Sequence, residues 1–482
     1  MVRWRGWHYG SLGLLAAVLW GAGWWWLRHP GEAGAIAPLP QDPQIQVYFN
    51  YSQANRYDEP YRDQNRLGDN LEQVIIDTIN RAQTSIDVAI HELNLPGIAQ
   101  ALVRKQQQGV TVRVIVENTY RQPWSQLNRT QVAALPERER DKYDNFMQLA
   151  DRNQDGTVQG SEALERDALY MLDFAAIPVI DDTADGSKGS GLMHHKFLVI
   201  DGQLAVVGSA NSTVSEIHGD LDAVDSHGNA NHLVVIENEA IAQHLTSEFN
   251  LMWGDGPGAQ ADSLFGLQKP PRSTYNVTLA PASTVTLQFS PVSGDRHPWE
   301  QSGNGLINAT LGTAQTSIDL ALFVFSDQKI SHGLLQKSQE AVTIRALIDP
   351  SFIYRSYSEA LDMLGVALPN QHCKYDVDNR PWPQPITTVG IPQLAEGDKL
   401  HHKFAVIDQQ TVITGSQNWS ESANHQNDEL VMVIHNPTVA AHFSREFDRL
   451  YENASLGVPS WLQTKIQEGQ TRCGMAIAPP PP

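Results

Sequence analysis

The sequence predicts an α/β protein of two homologous halves, each of mixed but mostly parallel sheet with helices, packed with pseudo-twofold symmetry and preceded by an N-terminal transmembrane helix. Three observations predict it: a segment that recurs in the second half of the chain, a strand-helix-strand order around each copy, and an apolar, tryptophan-rich run at the start. The 482 residues suit two domains or one two-lobed domain better than a single ordinary core.

Arg3 and Arg5 precede an apolar run from Gly10 to Leu27 that includes Trp24, Trp25 and Trp26 and ends at Arg28. The run is short for a spanning helix and long for a cleavable signal core, and its tryptophans suit a membrane interface. Residues 1–30 therefore read as a signal anchor with a cytoplasmic N-terminus, contacting the membrane through this helix. Cleavage in the small-residue stretch from Ala33 to Ala37 is the alternative. Both readings place the rest of the chain outside the cytoplasm, periplasmic or extracellular. Residues 31–44 read as a Pro- and Ala-rich linker.

The repeat then begins. Ala82-Gln83-Thr84-Ser85-Ile86-Asp87 recurs as Ala314-Gln315-Thr316-Ser317-Ile318-Asp319, and Val110-Thr111-Val112-Arg113 recurs as Val342-Thr343-Ile344-Arg345 at the same interval. Glu248-Phe249 with Trp253 matches Glu446-Phe447 with Tyr451. The halves span 45–260 and 285–472, with a Gly-, Pro- and Ser-rich linker at 261–284 and a Pro-rich tail at 473–482. A shared site is expected where equivalent loops of the two halves converge. With both half-sites in one chain, a monomer is expected.

The net charge of −20, from 54 acidic and 34 basic residues, repels polyanions at long range and weighs against broad nucleic-acid coating. Cys373 and Cys473 form no metal-type C-x-x-C pair. They read equally as one disulfide in an exported domain or as two unrelated thiols.

The chemistry is written twice. His194-His195-Lys196 runs on through Phe197-Leu198-Val199-Ile200 to Asp201, followed by Gly208-Ser209-Ala210-Asn211; His401-His402-Lys403 runs on to Asp408, followed at the same spacing by Gly415-Ser416-Gln417-Asn418. His and Lys two apart in a strand share a face, and Gly in the following turn permits close backbone approach. Doubling the set gathers two imidazoles, two ammonium groups and two amides. That set suits a phosphodiester, with one imidazole attacking phosphorus, the other protonating the leaving oxygen, and Lys and Asn stabilising the charged oxygens. No cofactor is expected for catalysis. His195 and His402 point to the opposite face and read as core.

On these paired motifs the chain resembles the phospholipase D superfamily over nearly all residues after 44. The resemblance implies a covalent phosphohistidine intermediate, then transfer to water or an alcohol. It implies His194 and His401 as the catalytic pair, Lys196, Lys403, Asn211 and Asn418 as phosphate binders, Asp201 and Asp408 as structural, and Ser209 and Ser416 as supports of the turns or the phosphate. It further implies an acidic residue late in each half that hydrogen-bonds a catalytic histidine. Glu429 fits in the second half, whereas the first half has Asn231 in that place. A carboxylate stabilises imidazolium and an amide does not. The expected roles are therefore His401 as general acid and His194 as nucleophile, with Asp220, Asp222 or Asp225 as alternative partners of His194.

The first half also carries an insert, 136–172. Within it, Asp151-Arg152-Asn153-Gln154-Asp155-Gly156-Thr157-Val158-Gln159-Gly160-Ser161-Glu162 fits the EF-hand pattern. The expected ligands of one structural calcium ion are Asp151, Asn153, Asp155, the Thr157 carbonyl, Gln159 through water, and bidentate Glu162, with Val158 as the apolar anchor and helices on both sides. Three functions compete: an exported phospholipase D acting on phospholipids, an exported nuclease on the same scaffold, and a membrane-anchored calcium-binding module with an idle site. Intact duplicated motifs disfavour the third; acidity and the anchor favour phospholipid. Trp419, His91 and Glu92 are candidate pocket walls.

Overall fold

The computed structural model describes residues 35–473, apart from 188, 259, 281–282, 370–371 and 376–378. The expected signal anchor at 1–30 and the tail beyond 473 lie outside the described residues. Among the described residues no helix is long and apolar enough to cross a membrane.

Each half contains the predicted strand-helix-strand unit, preceded by a helix. In the first half, helix Leu71–Asn80 buries Leu71, Ile75 and Ile79 along one face and starts at Asn70, whose side chain accepts from the Gln73 amide. Strand Ser85–Ile90 leads into helix Pro96–Gln107, which has its proline where a missing N–H costs nothing. Strand Thr111–Val116 then returns parallel to Ser85–Ile90, and Val179–Asp181 adds a further parallel neighbour. In the second half Ser317–Leu322, Thr343–Ile348 and Val389–Ile391 repeat this arrangement.

The expectation of mostly parallel sheets does not hold. Every other strand pair in the two large sheets is antiparallel. The cause is local. Lys196–Ile200 turns through Asp201 and Gly202, both at positive φ (53° and 63°), straight into Leu204–Gly208. A turn this short makes a hairpin and cannot make the crossover that parallel pairing needs. Asp408 and Gln409, at φ 52° and 56°, do the same between Lys403–Ile407 and Thr411–Gly415. The linker reading of 261–284 also fails in part. Tyr275–Ala280 pairs with Ser283–Ser290, which pairs with Glu429–His435, so this segment extends the second sheet.

The two sheets share one core. Phe49, Phe197 and Phe249 of the first half cluster with Phe404, Phe443 and Phe447 of the second, together with the apolar faces of helices Glu239–Trp253 and Pro437–Glu452. Separate apolar clusters fill the space between each sheet and its outer helices. With apolar partners on both faces, central strands such as Lys196–Ile200 are buried throughout and read as continuous apolar runs. The halves also exchange backbone bridges reciprocally: Met193 bridges Asp428 and Leu400 bridges Ala230. Reciprocal exchange is what a twofold axis produces.

Cys373 and Cys473 form a disulfide, closing a separation of 100 residues. In the insert, helices Glu137–Ala150 and Ser161–Arg166 flank the acidic loop, and Val158 is buried with Trp124, Phe146, Ala150 and Ala163. The second helix stops at Asp167 instead of running to Leu172, because the Asp167 side chain accepts from the Tyr170 amide and starts a new helix, Ala168–Phe174.

Candidate active site

The bridges between halves position the histidines. The His194 amide donates to the Asp428 carbonyl (3.0 Å) and the His401 amide to the Ala230 carbonyl (3.1 Å). Each histidine thus stands beside the segment that leads into a strand of the other half, Glu429–His435 for His194 and His232–Glu237 for His401. Lys196 and Lys403 begin the strands that follow, and their ammonium groups donate to the His194 and His401 carbonyls at 2.9 and 2.7 Å. All four side chains are buried, and each lysine charge acts on groups of the other half. The predicted convergence of the two motifs is therefore present.

The carboxylate partners differ from the expected arrangement. His194 Nδ1 lies 2.8 Å from Glu429 Oε2, across the half boundary. His401 Nδ1 lies 3.0 Å from Asn231 Oδ1 and 3.1 Å from Glu216 Oε2, again across it. The sequence reading paired each histidine with its own half, because motif order along a chain carries no information about exchange across an axis. Asp220, Asp222 and Asp225 are not partners of His194; their loop is held by Arg62, which donates to the carbonyls of Asp220, Ala223 and Ser226. Glu216 was missed. Its only signal is a carboxylate shortly after Gly-Ser-Ala-Asn, where the second half has Ala423.

Burial sets the electrostatics. It holds His194 well below the ordinary imidazole range, with the charges of Lys196 and Lys403 acting the same way. It brings His401 down to about 4, opposed by Glu216. It lowers Lys196 to about 8 and Lys403 to about 7. Glu429 is pushed up to about 7 by burial, against the pull of Lys196. Burial acts on Glu216 too, but His401, Lys403 and the Asn231 amide outweigh it and hold the carboxyl well below its usual range. Glu216 is thus the firmly ionised member of the two carboxyl groups.

Asn211 donates to Glu216 Oε1 at 3.1 Å. The Oδ1 atoms of Asn211 and Asn418 are buried without a partner among the described residues. These oxygens are acceptors, so the partner each lacks is a donor such as a hydroxyl or water, and any bond to a phosphate oxygen would have to come from the Nδ2 hydrogens. Ser209 Oγ donates to Asn231 Oδ1 (2.7 Å) and accepts from the His232 amide (3.1 Å), while Ser416 Oγ accepts from the Leu430 amide (3.1 Å). The two serines therefore brace the strand starts that hold Asn231 and Glu429. Asp201 accepts from the amides of Gln83, Thr84 and Ser85, and Asp408 from those of Gln315, Thr316 and Ser317. Both carboxylates are spent on the repeated Gln-Thr-Ser segment, away from the histidines. His195 and His402 face Glu248 and Glu446 in the core. Of the expected wall residues, His91 packs its ring 5.0 Å from that of His194. Glu92 is tied to Lys142 of the insert at 2.8 Å. Trp419 is 1% exposed and packs on Phe325, so it is core and not wall. Phe323 takes the place beside His401 that His91 takes beside His194, at 4.8 Å.

In the insert, Asp151 accepts from the Asp155 and Gly156 amides, Asn153 from Asp155, and Glu162 from Arg152 and Asn153. The donor set is all oxygen, as a hard divalent cation requires, but Asp155 Oδ1 accepts from the Thr157 amide and hydroxyl and the Asp151, Asp155 and Glu162 carboxylates do not converge on one point, so an ion would have to draw them together.

The sequence family described as "Cardiolipin synthase, PLD-like domain" matches residues 75–253 and 307–451. Mitochondrial cardiolipin hydrolase of Danio rerio is 25% identical over 162 residues, 33% of this chain and 60% of that protein. Phospholipase D of Rickettsia conorii is 26% identical over 169 residues, 35% of this chain and 70% of that protein. The chain thus spans less than two thirds of the length of the cardiolipin hydrolases it matches. Among solved structures, phosphatidylserine synthase of Haemophilus influenzae Rd KW20 has the same fold, with a TM-score of 0.52 at 12% identity over 90% of this chain and 94% of that one.

Proposed function

Because the chain belongs to the PLD-like family of the cardiolipin synthase type, we propose that it is a phosphodiester hydrolase of the phospholipase D type, acting on phospholipids through a covalent phosphohistidine. The observation that carries this is the meeting of His194 and His401 across the half boundary, each with a carboxylate on Nδ1 and a buried lysine beside it. A carboxylate on Nδ1 fixes that nitrogen as the donor and leaves Nε2 for the substrate.

His194 is held neutral by burial and by the two lysine charges, so its Nε2 lone pair is available. It attacks phosphorus as the bond to the leaving alcohol breaks, and the proton on His401 Nε2 passes to the leaving oxygen. Lys196, Lys403, Asn211 and Asn418 stabilise the non-bridging oxygens. In the second step His401 takes a proton from water, whose oxygen displaces His194. The substrate phosphate brings a negative charge between the imidazoles, which opposes the burial that holds free His401 at about 4. The roles expected from sequence are kept, but on a different ground: ionised Glu216 supports His401, while the Glu429 carboxyl beside His194 is raised to about 7.

Family membership and the cardiolipin hydrolase and phospholipase D relatives support a phospholipid substrate. The Cys373–Cys473 disulfide supports an exported chain, since such bonds persist in oxidising compartments. On this reading residues 1–30 anchor a monomer in the membrane, and the insert holds one calcium ion through Asp151, Asn153, Asp155, Thr157 and Glu162. The test is one assay of the full chain in detergent on labelled phosphatidylcholine, phosphatidylglycerol and plasmid DNA in parallel. Release of head group from either lipid, with the DNA intact, is expected. Nicked DNA with intact lipid would make the protein a nuclease, and turnover of none would remove the catalytic reading.

A further inference from the structure

We infer that Glu216 is the positioning carboxylate of His401, relocated to a short helix because the strand position that would supply it holds an asparagine. The inference rests on the phosphodiesterase reading above and names the residue on which proton delivery to the leaving group depends.

The two halves make the comparison. At the start of strand Glu429–His435, Glu429 meets His194 Nδ1 at 2.8 Å. At the equivalent place before strand His232–Glu237, Asn231 meets His401 Nδ1 at 3.0 Å. Ser416 and Ser209 stand behind the two positions in the same way, accepting from the Leu430 and His232 amides that follow them. An amide oxygen fixes the tautomer of an imidazole but brings no charge to hold an imidazolium. Helix Val214–Ile217 supplies the missing charge: Glu216 Oε2 reaches His401 Nδ1 at 3.1 Å.

The Glu216 carboxylate is also built in. Asn231 Nδ2 donates to its Oε2 (2.7 Å) and Asn211 Nδ2 to its Oε1 (3.1 Å). With Nδ2 so engaged, Asn231 must present Oδ1 to Ser209 and His401. His401 Nδ1 then faces acceptors only and carries the proton. At the same interval after Gly-Ser-x-Asn the second half has Ala423. One half thus combines Glu216 with Asn231, and the other Ala423 with Glu429, so each histidine keeps one carboxylate. Glu216 touches His401 and not the reacting atoms. It acts by orienting the acid, and through Asn211 by orienting a phosphate binder.

The test uses the full chain in detergent with two substrates. Phosphatidylglycerol has an alkoxide leaving group that needs a proton. A p-nitrophenyl phosphodiester has one that leaves without it. Glu216→Ala should lower phosphatidylglycerol turnover about 100-fold, while the initial burst of p-nitrophenolate slows less than about 10-fold. Glu216→Gln, which keeps the side-chain volume, should show the same split. The double variant Glu216→Ala/Asn231→Glu makes the first half copy the second and should return lipid turnover to within about 10-fold of wild type. Equal losses on both substrates in a folded Glu216→Gln protein would overturn the inference, as would a folded double variant as slow as Glu216→Ala. If wild-type protein turns over neither substrate, it is the phosphodiesterase reading that fails.

Discussion

At the scale of single residues, the site depends on groups that are each weak alone and decisive together. His194→Ala and His401→Ala should each abolish turnover, because nucleophile and acid act as one unit. Acid quenching of wild type with phosphate-labelled substrate should leave label on His194, and none in His194→Ala. Label that persists in His194→Ala and disappears in His401→Ala would reverse the roles. A second prediction concerns Asp201 and Asp408. Burial alone would raise these carboxyls, but the backbone amides they accept, with the Thr84 and Thr316 hydroxyls, hold them below the usual range. A carboxyl depressed on folding contributes stability that is present above its unfolded value of about 3.9 and lost as pH falls through the folded one. Asp201→Ala and Asp408→Ala should each cost about 1 kcal/mol at pH 7, a figure kept low because both sites are partly solvated. Denaturant titrations at pH 7 and pH 3 check it: the variants should lose less stability on acidification than wild type does. Equal acid sensitivity would mean that these bonds are not made in solution.

At the scale of elements, the insert is the feature that separates the halves. Its loop is anchored by Val158 to Phe146, and helix Glu137–Ala150 carries Lys142 to Glu92 and to the Tyr120 hydroxyl at 2.9 Å. Tyr120 packs on His91, and His91 on His194. Calcium in the loop should therefore act on stability and on the approach to the site, and not on the chemical step. At a hundredfold excess over its dissociation constant the ion should add about 2.7 kcal/mol to unfolding. Chelator should lower the melting temperature and weaken lipid binding while turnover at low temperature persists, and Glu162→Gln should copy it. Calorimetry showing no uptake at millimolar calcium would rule the site out. Immediate and complete loss of turnover in chelator with the fold intact would place calcium in the chemistry. The hairpins belong to this scale too. The runs Phe197–Ile200 and Phe404–Ile407 identify buried strands, but their direction was set by Asp201-Gly202 and Asp408-Gln409 at positive φ, a turn signal weaker than the apolar runs around it.

At the scale of the whole molecule, the chain closes on itself twice, through the shared core between its sheets and through the Cys373–Cys473 bond. If the body of the chain is exported, a reporter that is active only in the cytoplasm should be silent when fused after residue 482. Cys373 and Cys473 should resist alkylation until reductant is added. An active reporter, or thiols that label freely in native protein, would sink the export reading. The repeated Ala-Gln-Thr-Ser-Ile-Asp and the doubled His-x-Lys were enough to read a two-lobed α/β protein with a shared site. Chemistry and symmetry were legible because identical spacing of reactive residues in two copies is a local property of the chain. The partner of each histidine was not legible. Glu429 was identified as a histidine-binding acid but assigned to the wrong histidine, and Glu216 was not seen at all. Strand direction, the cysteine bond and the exchange of carboxylates across the axis all depend on which distant segments meet. Only burial and backbone pairing in the folded chain decide that. The residue types that do the chemistry were set by sequence alone, and the tertiary structure determined which of them act on each other.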